Sequence, residues 1–295
     1  MRSSGFAALL VALLPGTAGA TTLALLQSKS LAPYERAAES FVSSVGEDVR
    51  RYNLAEQPEN VIVHHIQRLR PPLLIAVGTE ALRVAAERLP ELPTVFLMVL
   101  GAEPRDRTSP FSGVTLEIPA AEQIRALQRL RPDLKRIGLL YDPAESAAAV
   151  ARLREAARRA ELSVDARAVS NTREAMAAMP ELFADCDAYI VVPDRTTAGN
   201  ACFELSILLS VRYRVPVFAP SRKYVEKGAL AALGATFEDV GEQAAGIARL
   251  ILAGEPTPEP ESPRVFALIV NEKIADKLGV DVPSRYQGRV VEVVP

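Results

Sequence analysis

Short apolar runs alternate with longer amphipathic stretches from Thr22 to Val270, and this alternation constrains the fold more than any other feature of the chain. Runs of five to seven residues bounded by polar turns read as strands, and the stretches between them carry the 3.6-residue period of a helix. "TLALLQ" (22–27) precedes a helix-like 33–45. "LLIAV" (73–77) precedes "EALRVAAERL" (80–89), and "TVFLMVL" (94–100) follows. "RIGLLY" (136–141) precedes a helix over 146–162 with Val150, Leu153 and Ala157 on one face. Asn171 and Glu174 form a capping box for a helix over 172–184. "AYIVV" (188–192), a helix over roughly 198–213 and "VPVFAPS" (215–221) complete the series. Strands without a polar face, each followed by a helix, belong to a parallel α/β sheet, because the crossover helices cover both of its faces.

The units repeat. "LALLQSKS" plus a helix matches "IGLLYDPAES" plus a helix, and "LLIAVGTEALRVAAERLPELPTVFLMV" matches "AYIVVPDRTTAGNACFELSILLSVRYRVPVFAP" in its order of strand, polar turn with threonine, helix, proline, strand. The expected fold is therefore α/β with two similar Rossmann-like lobes. After residue 241 come a further helix, "GEQAAGIARLILAG", then "EPTPEPESP" and the strand "RVFALIV". Four prolines in nine residues suit a stiff extended crossover. A helix that returns after both lobes are built implies several crossings and a hinge. The expected division is residues 21–116 plus about 242–266 for the N-terminal lobe, and 117–241 plus about 267–295 for the C-terminal lobe.

Residues 1–20 carry one cation, Arg2, then an apolar run and Ala18-Gly19-Ala20, the layout of a cleaved secretory signal peptide. The run is too short to span a bilayer, and no cysteine follows it to accept a lipid, so a soluble protein in the periplasm is expected. Loss of Arg2 with that segment takes the formal charge from −2 to −3, which is no footprint for nucleic acid. Cys186 and Cys202, the two cysteines, fall near opposite ends of one strand–helix unit and are expected to stay unpaired.

Chemistry for catalysis is sparse. No glycine-rich dinucleotide fingerprint, Walker motif or nucleophile elbow occurs, so no cofactor is expected. His64 and His65, the only histidines, are adjacent and cannot readily share a metal. What remains is a set of polar residues at the carboxyl ends of the expected strands, where open α/β sheets bind ligands. They are Gln27, Ser28 and Lys29; Gly78 and Thr79; Tyr141, Glu145 and Ser146; Asp194, Arg195 and Thr196; Ser221, Arg222 and Lys223. The loops lead into helix N-termini, which favour an anion, and Asp194 would face an ammonium group. Thr79, Ser146 and Thr196 also read as helix caps, Glu145 and Asp194 as dipole partners, and Tyr141 as a half-buried core residue.

Three segments of the C-terminal half, "DAYIVVPDRTTAGNA", "VPVFAPSRKYVEKGALAALGATFEDVGEQAAGIARLILAGEPTPE" and "LIVNEKIADKLGVDVP", carry a family likeness. They resemble the extracytoplasmic substrate-binding proteins of ABC transporters related to tryptophan and tyrosine uptake, with "LKRIGLLYDPAES" and "FSGVT" as weaker matches. Gly228-Ala229-Leu230, an Asp239–Gly241 turn and Asn271 through Pro283 are its more specific pieces. The resemblance implies a type I periplasmic-binding-protein fold that closes on an amino-acid-like ligand and delivers it to an ABC permease. It places Asp194 at the ligand cleft, with Thr79 and Ser146 offering hydroxyls. The chain departs from the family at Glu145 and Arg195, where asparagines are common, and its four cleft-edge cations, Lys29, Arg195, Arg222 and Lys223, point to a more anionic ligand. The alternatives are a periplasmic sensor or accessory protein on the same fold and a degenerate member that binds nothing.

Overall fold

A computed structural model describes residues 22–99, 110–287 and 289–294; the expected signal peptide lies outside them. The first half runs β1 (Thr22–Gln27), α1 (Ala32–Val45), β2 (Asp48–Asn53), α2 (Glu59–Leu69), β3 (Leu74–Val77), α3 (Thr79–Arg88), β4 (Thr94–Val99) and β5 (Phe111–Thr115). These five strands form one parallel sheet in the order β2-β1-β3-β4-β5. The second half runs α4 (Ala120–Leu130), β6 (Arg136–Tyr141), α5 (Pro143–Arg159), β7 (Ser163–Ala168), α6 (Thr172–Asp185), β8 (Ala188–Ile190), α7 (Asn200–Tyr213), β9 (Val217–Ala219), α8 (Arg222–Glu226) and β10 (Ala231–Gly234). Next come α9 (Phe237–Leu252), β11 (Ala267–Asn271), α10 (Glu272–Leu278), β12 (Arg285–Tyr286), β13 (Arg289–Val290) and β14 (Glu292–Val294). The second sheet has the order β14-β11-β10-β9-β8-β6-β7, and β12 pairs with β13 alone.

Taken from β7 to β10, the second sheet repeats the first strand for strand: each is wound second, first, third, fourth, fifth. The fold is thus two similar doubly wound α/β lobes, and the internal match between β1 and β6, and between β3–α3–β4 and β8–α7–β9, is a match of equivalent parts. Doubly wound sheets place their ligand crevice where the winding reverses. Those points are the β1/β3 edge in the first lobe and the β6/β8 edge in the second.

The chain changes lobe at three places. Residues 116–119 lead from β5 to α4, residues 235–236 from β10 to α9, and residues 253–266 from α9 to β11. Helix α9 packs on α1 in the first lobe: its Val240, Ala244, Ala245 and Ala248 share a core with Leu23, Phe41 and Ile75. It begins at Phe237, capped by Thr236, so Asp239–Gly241 is the first turn of a helix and not a separate turn. The proline-rich return adds a bridge to β5, with Glu261 N–H bonded to Gly113 O (2.9 Å) and Thr115 N–H to Glu261 O (2.9 Å).

Local chemistry accounts for most boundaries. Helix α1 buries Ala37, Ala38, Phe41 and Val45 on one stripe and ends at Gly46, which takes the left-handed conformation at φ 80°. Asp142 caps α5 and Pro143 occupies its first turn, so that helix starts three residues before the expected start at Ser146. Asn171 caps α6 by accepting from Glu174 N–H, while the Glu174 carboxylate reaches back to Ser170 rather than to the cap residue. Both cysteines are free and buried; Cys186 ends α6 instead of opening β8.

Candidate functional site

At the first switch point, Gln27 is buried and its amide donates to Glu35 Oε1 (2.6 Å) and Lys29 O (2.9 Å). Ser28 Oγ donates to Val77 O (3.0 Å) and accepts from Ala81 N–H (2.9 Å), tying β3 to the first turn of α3. Gly78 caps α3 at φ 90°, and a Cβ there would lie 2.7 Å from both Ser28 Oγ and the Tyr34 ring. Glycine at 78 is therefore a steric requirement. Thr79 is the exposed first residue of α3 and caps nothing.

The second switch point is held by Asp194, only 5% exposed. Its Oδ1 accepts from Thr197 N–H (2.7 Å) and Thr197 Oγ (2.7 Å), and its Oδ2 accepts from Asp142 N–H (3.0 Å) and Ser146 Oγ (2.9 Å). Four donors fill the four lone-pair positions of one carboxylate. Asp194 therefore staples the β8 loop to the start of α5. Thr196 Oγ donates to Asp142 Oδ2 (2.8 Å), which with the Ala144 N–H holds the Asp142 carboxyl below its ordinary range. Neither Ser146 nor Thr196 is a helix cap: Asp142 caps α5 and Gly199 caps α7.

Glu145 and Arg195 join across the same loops. The Arg195 N–H donates to Glu145 Oε2 (2.9 Å) and its guanidinium to Oε1 (2.6 Å). That backbone bond first, then the guanidinium, lowers the Glu145 pKa, while the Arg195 side chain stays 90% exposed. Tyr141 is half-buried against the second-lobe core. Arg222, after the Ser221 cap of α8, pairs with Glu292 on β14. Two of the four cleft-edge cations are thus neutralised by carboxylates, and only Lys29 and Lys223 have none within 4 Å among the described residues.

The structure therefore gathers Gln27, Ser28, Gly78 and Thr79 at one switch point and Tyr141, Glu145, Ser146, Asp194, Arg195 and Thr196 at the other, with Ser221 and Arg222 beyond β9. Asp142 and Thr197 complete the second network and were not singled out from the sequence. Asp-Pro opening a helix is a recognisable cap signature and points to Asp142. No hydrogen bond or ion pair joins the two edges among the described residues.

Beside the second switch point lies a cavity of about 550 Å³ where β8, β9 and β10 end. Val191, Val192, Phe218, Ala219 and Leu233 line its apolar wall, and Leu116 to Ile118, the first crossover, closes one side. Glu117 and Arg152 form an ion pair on it, and Gln123 is its third polar residue. None of the twelve switch-point and β9-edge residues just placed, from Gln27 to Arg222, lines it. Its wall is made of strand termini and helix residues distant in sequence, which no local motif announces. Among the described residues no cluster of His, Cys, Asp and Glu is placed to hold a metal ion, and His64 and His65 are exposed on α2.

Two doubly wound lobes joined by three crossovers, with their switch points at the strand ends, define the type I periplasmic-binding-protein class. Residues 44–294 match the ABC transporter substrate binding protein family, and the chain belongs to it. Among solved structures, it is similar to a substrate-binding protein with adhesive properties from Clostridium difficile in its ligand-free, open form, with TM-score 0.75, 21% identity, 93% of this chain and 99% of that one covered. It is also similar to an ABC domain in complex with L-Trp from Streptococcus pneumonia, with TM-score 0.58, 21% identity and 94% and 100% covered. A search of the curated proteins gives no match.

Proposed function

We propose that the protein is a periplasmic solute receptor, exported by residues 1–20, that captures a small amino-acid-like or carboxylate ligand between its lobes and delivers it to an ABC permease. The observation that carries this reading is the cavity of about 550 Å³ at the strand ends, bounded by the segment that joins the lobes. Its size suits a small molecule. Its apolar wall takes the non-polar part of the ligand, and the Glu117–Arg152 pair on it is complementary to an ammonium and a carboxylate. The N-terminus of α7, whose cap makes no side-chain hydrogen bond, adds free N–H groups at the second-lobe edge for the carboxylate. Asp194 plays a different part from the ammonium partner suggested by sequence: its carboxylate is committed within the lobe and shapes the edge the ligand meets.

The test is a thermal-shift screen of the purified protein against amino acids and small carboxylates, with Ala149→Phe alongside. Ala149 lines the cavity from half-exposed α5, so a phenyl ring there fills the space without entering the core. A ligand at ~100 times its dissociation constant adds about 2.7 kcal/mol of stability. A hit in the wild type that the variant loses, at unchanged ligand-free melting temperature, supports the receptor. A well-folded wild type with no hit, or a hit the variant keeps, rejects this site.

A further inference from the structure

A second depression, about 570 Å³, opens on the first lobe where the edge strand β2 meets α2. Arg50, Arg51, Tyr52 and Gln57 contribute from the strand and its following loop, and His65 and Arg68 from the helix. The geometry follows from two periodicities. Arg50 and Tyr52, two apart on a strand, face the same side of the sheet, and His65 and Arg68, three apart on a helix, share one stripe. Arg51 also lines the depression and makes a long 3.9 Å contact with Glu35.

Among the described residues, no acidic side chain lines the depression. The nearby carboxylates are engaged elsewhere: Asp48 accepts from Thr22, Glu56 from Ser30 and Asn53, and Glu59 is held by Arg83 and Arg88 of α3. Arg50 and Arg68 have no carboxylate within 4 Å among the described residues. The Tyr52 side chain is 7% exposed, and its hydroxyl is closed off from solvent with no hydrogen-bond partner. Native structures retain few such groups, because each costs about 1–3 kcal/mol.

We propose that this depression is an anion site for a phosphate group. Two guanidiniums without carboxylates match a tetrahedral dianion in charge and in their planar fork of donors. Gln57 and His65 supply further polar contacts. The Tyr52 hydroxyl is closed off from solvent, so the oxyanion's polar contacts come from the arginines, Gln57 and His65. The site lies on the open edge of the sheet and none of the switch-point residues lines it, so its occupant is distinct from the transported solute. Free phosphate and a phospholipid headgroup carry the same chemistry.

The experiment compares the wild type, Arg50→Ala/Arg68→Ala and a charge-matched control, Arg173→Ala/Arg212→Ala, whose exposed arginines lie on α6 and α7. One arm titrates inorganic phosphate by calorimetry at constant ionic strength. The other measures co-sedimentation with vesicles of phosphatidylglycerol in phosphatidylethanolamine against phosphatidylethanolamine alone. The expected result is saturable binding in at least one arm, weakened tenfold or more in Arg50→Ala/Arg68→Ala and unchanged in the control; the arm that responds identifies the source. Absence of binding in both arms, or equal weakening in both variants, overturns the proposal. The cleft screen is unaffected either way, since neither arginine lines the cleft cavity.

Discussion

Asp194 spends its charge inside the lobe. Removing its carboxylate leaves two N–H groups without their acceptor and turns the Ser146 and Thr197 hydroxyls back on Asp142 O and Val192 O. Asp194→Ala is expected to cost about 3 kcal/mol in urea unfolding. Asp194→Asn should lose most of the same amount, because its NH₂ would point at two donors. Arg195→Ala, one residue away, should change stability little, since its side chain is 90% exposed and its ion pair faces water. Equal costs at 194 and 195 would reject the staple. The types of residue at this edge were legible in the sequence, but their partners were not. Ser146 and Asp142 stand 48 and 52 residues from Asp194, and only the adjacency of β6 and β8 brings them together.

At the scale of elements, the α1–α9 crossing depends on one glycine. A Cβ at Gly241 would lie 2.3 Å from Ala37 O and 2.9 Å from Phe41 N, both backbone atoms that cannot swing aside. Gly241→Ala should therefore separate the helices and cost about 1–3 kcal/mol. Hydrogen exchange should speed up in α1 and α9 while α6 and α7 stay protected. Uniform acceleration across both lobes would refute this local account. The same crossing explains why glycine at 241 misleads as a turn signal: it sits in the first turn of a helix because another backbone passes close by. Several strands escaped the sequence reading, among them β2 ("DVRRYN") and β7 ("SVDARA"), which lie at sheet edges and so lack the apolar run of a strand flanked on both sides.

On the scale of the whole molecule, three crossovers tie the lobes together, while no hydrogen bond or ion pair among the described residues joins their switch-point edges. A ligand that contacts both edges stabilises the closed arrangement by the difference in its affinity for the two states. Any compound that raises the melting temperature through the cleft should therefore also lower the radius of gyration in small-angle scattering. Stabilisation with no compaction would mean that one lobe binds alone.

The sequence by itself determined the α/β class, the two-fold repeat and most of the central strands, because burial on both faces leaves a short continuous apolar run bounded by turns and helices. It also marked the strand ends as the polar edge of each lobe. Tertiary structure decided the rest. It committed Asp194 to a staple, paired Arg195 with Glu145 and Arg222 with Glu292, and built the cavity from β8, β9, α5 and the crossover at 116–118. Those outcomes depend on which residues meet across tens of positions, and a hydrogen bond or a cavity wall has no periodicity along the chain by which it can be read.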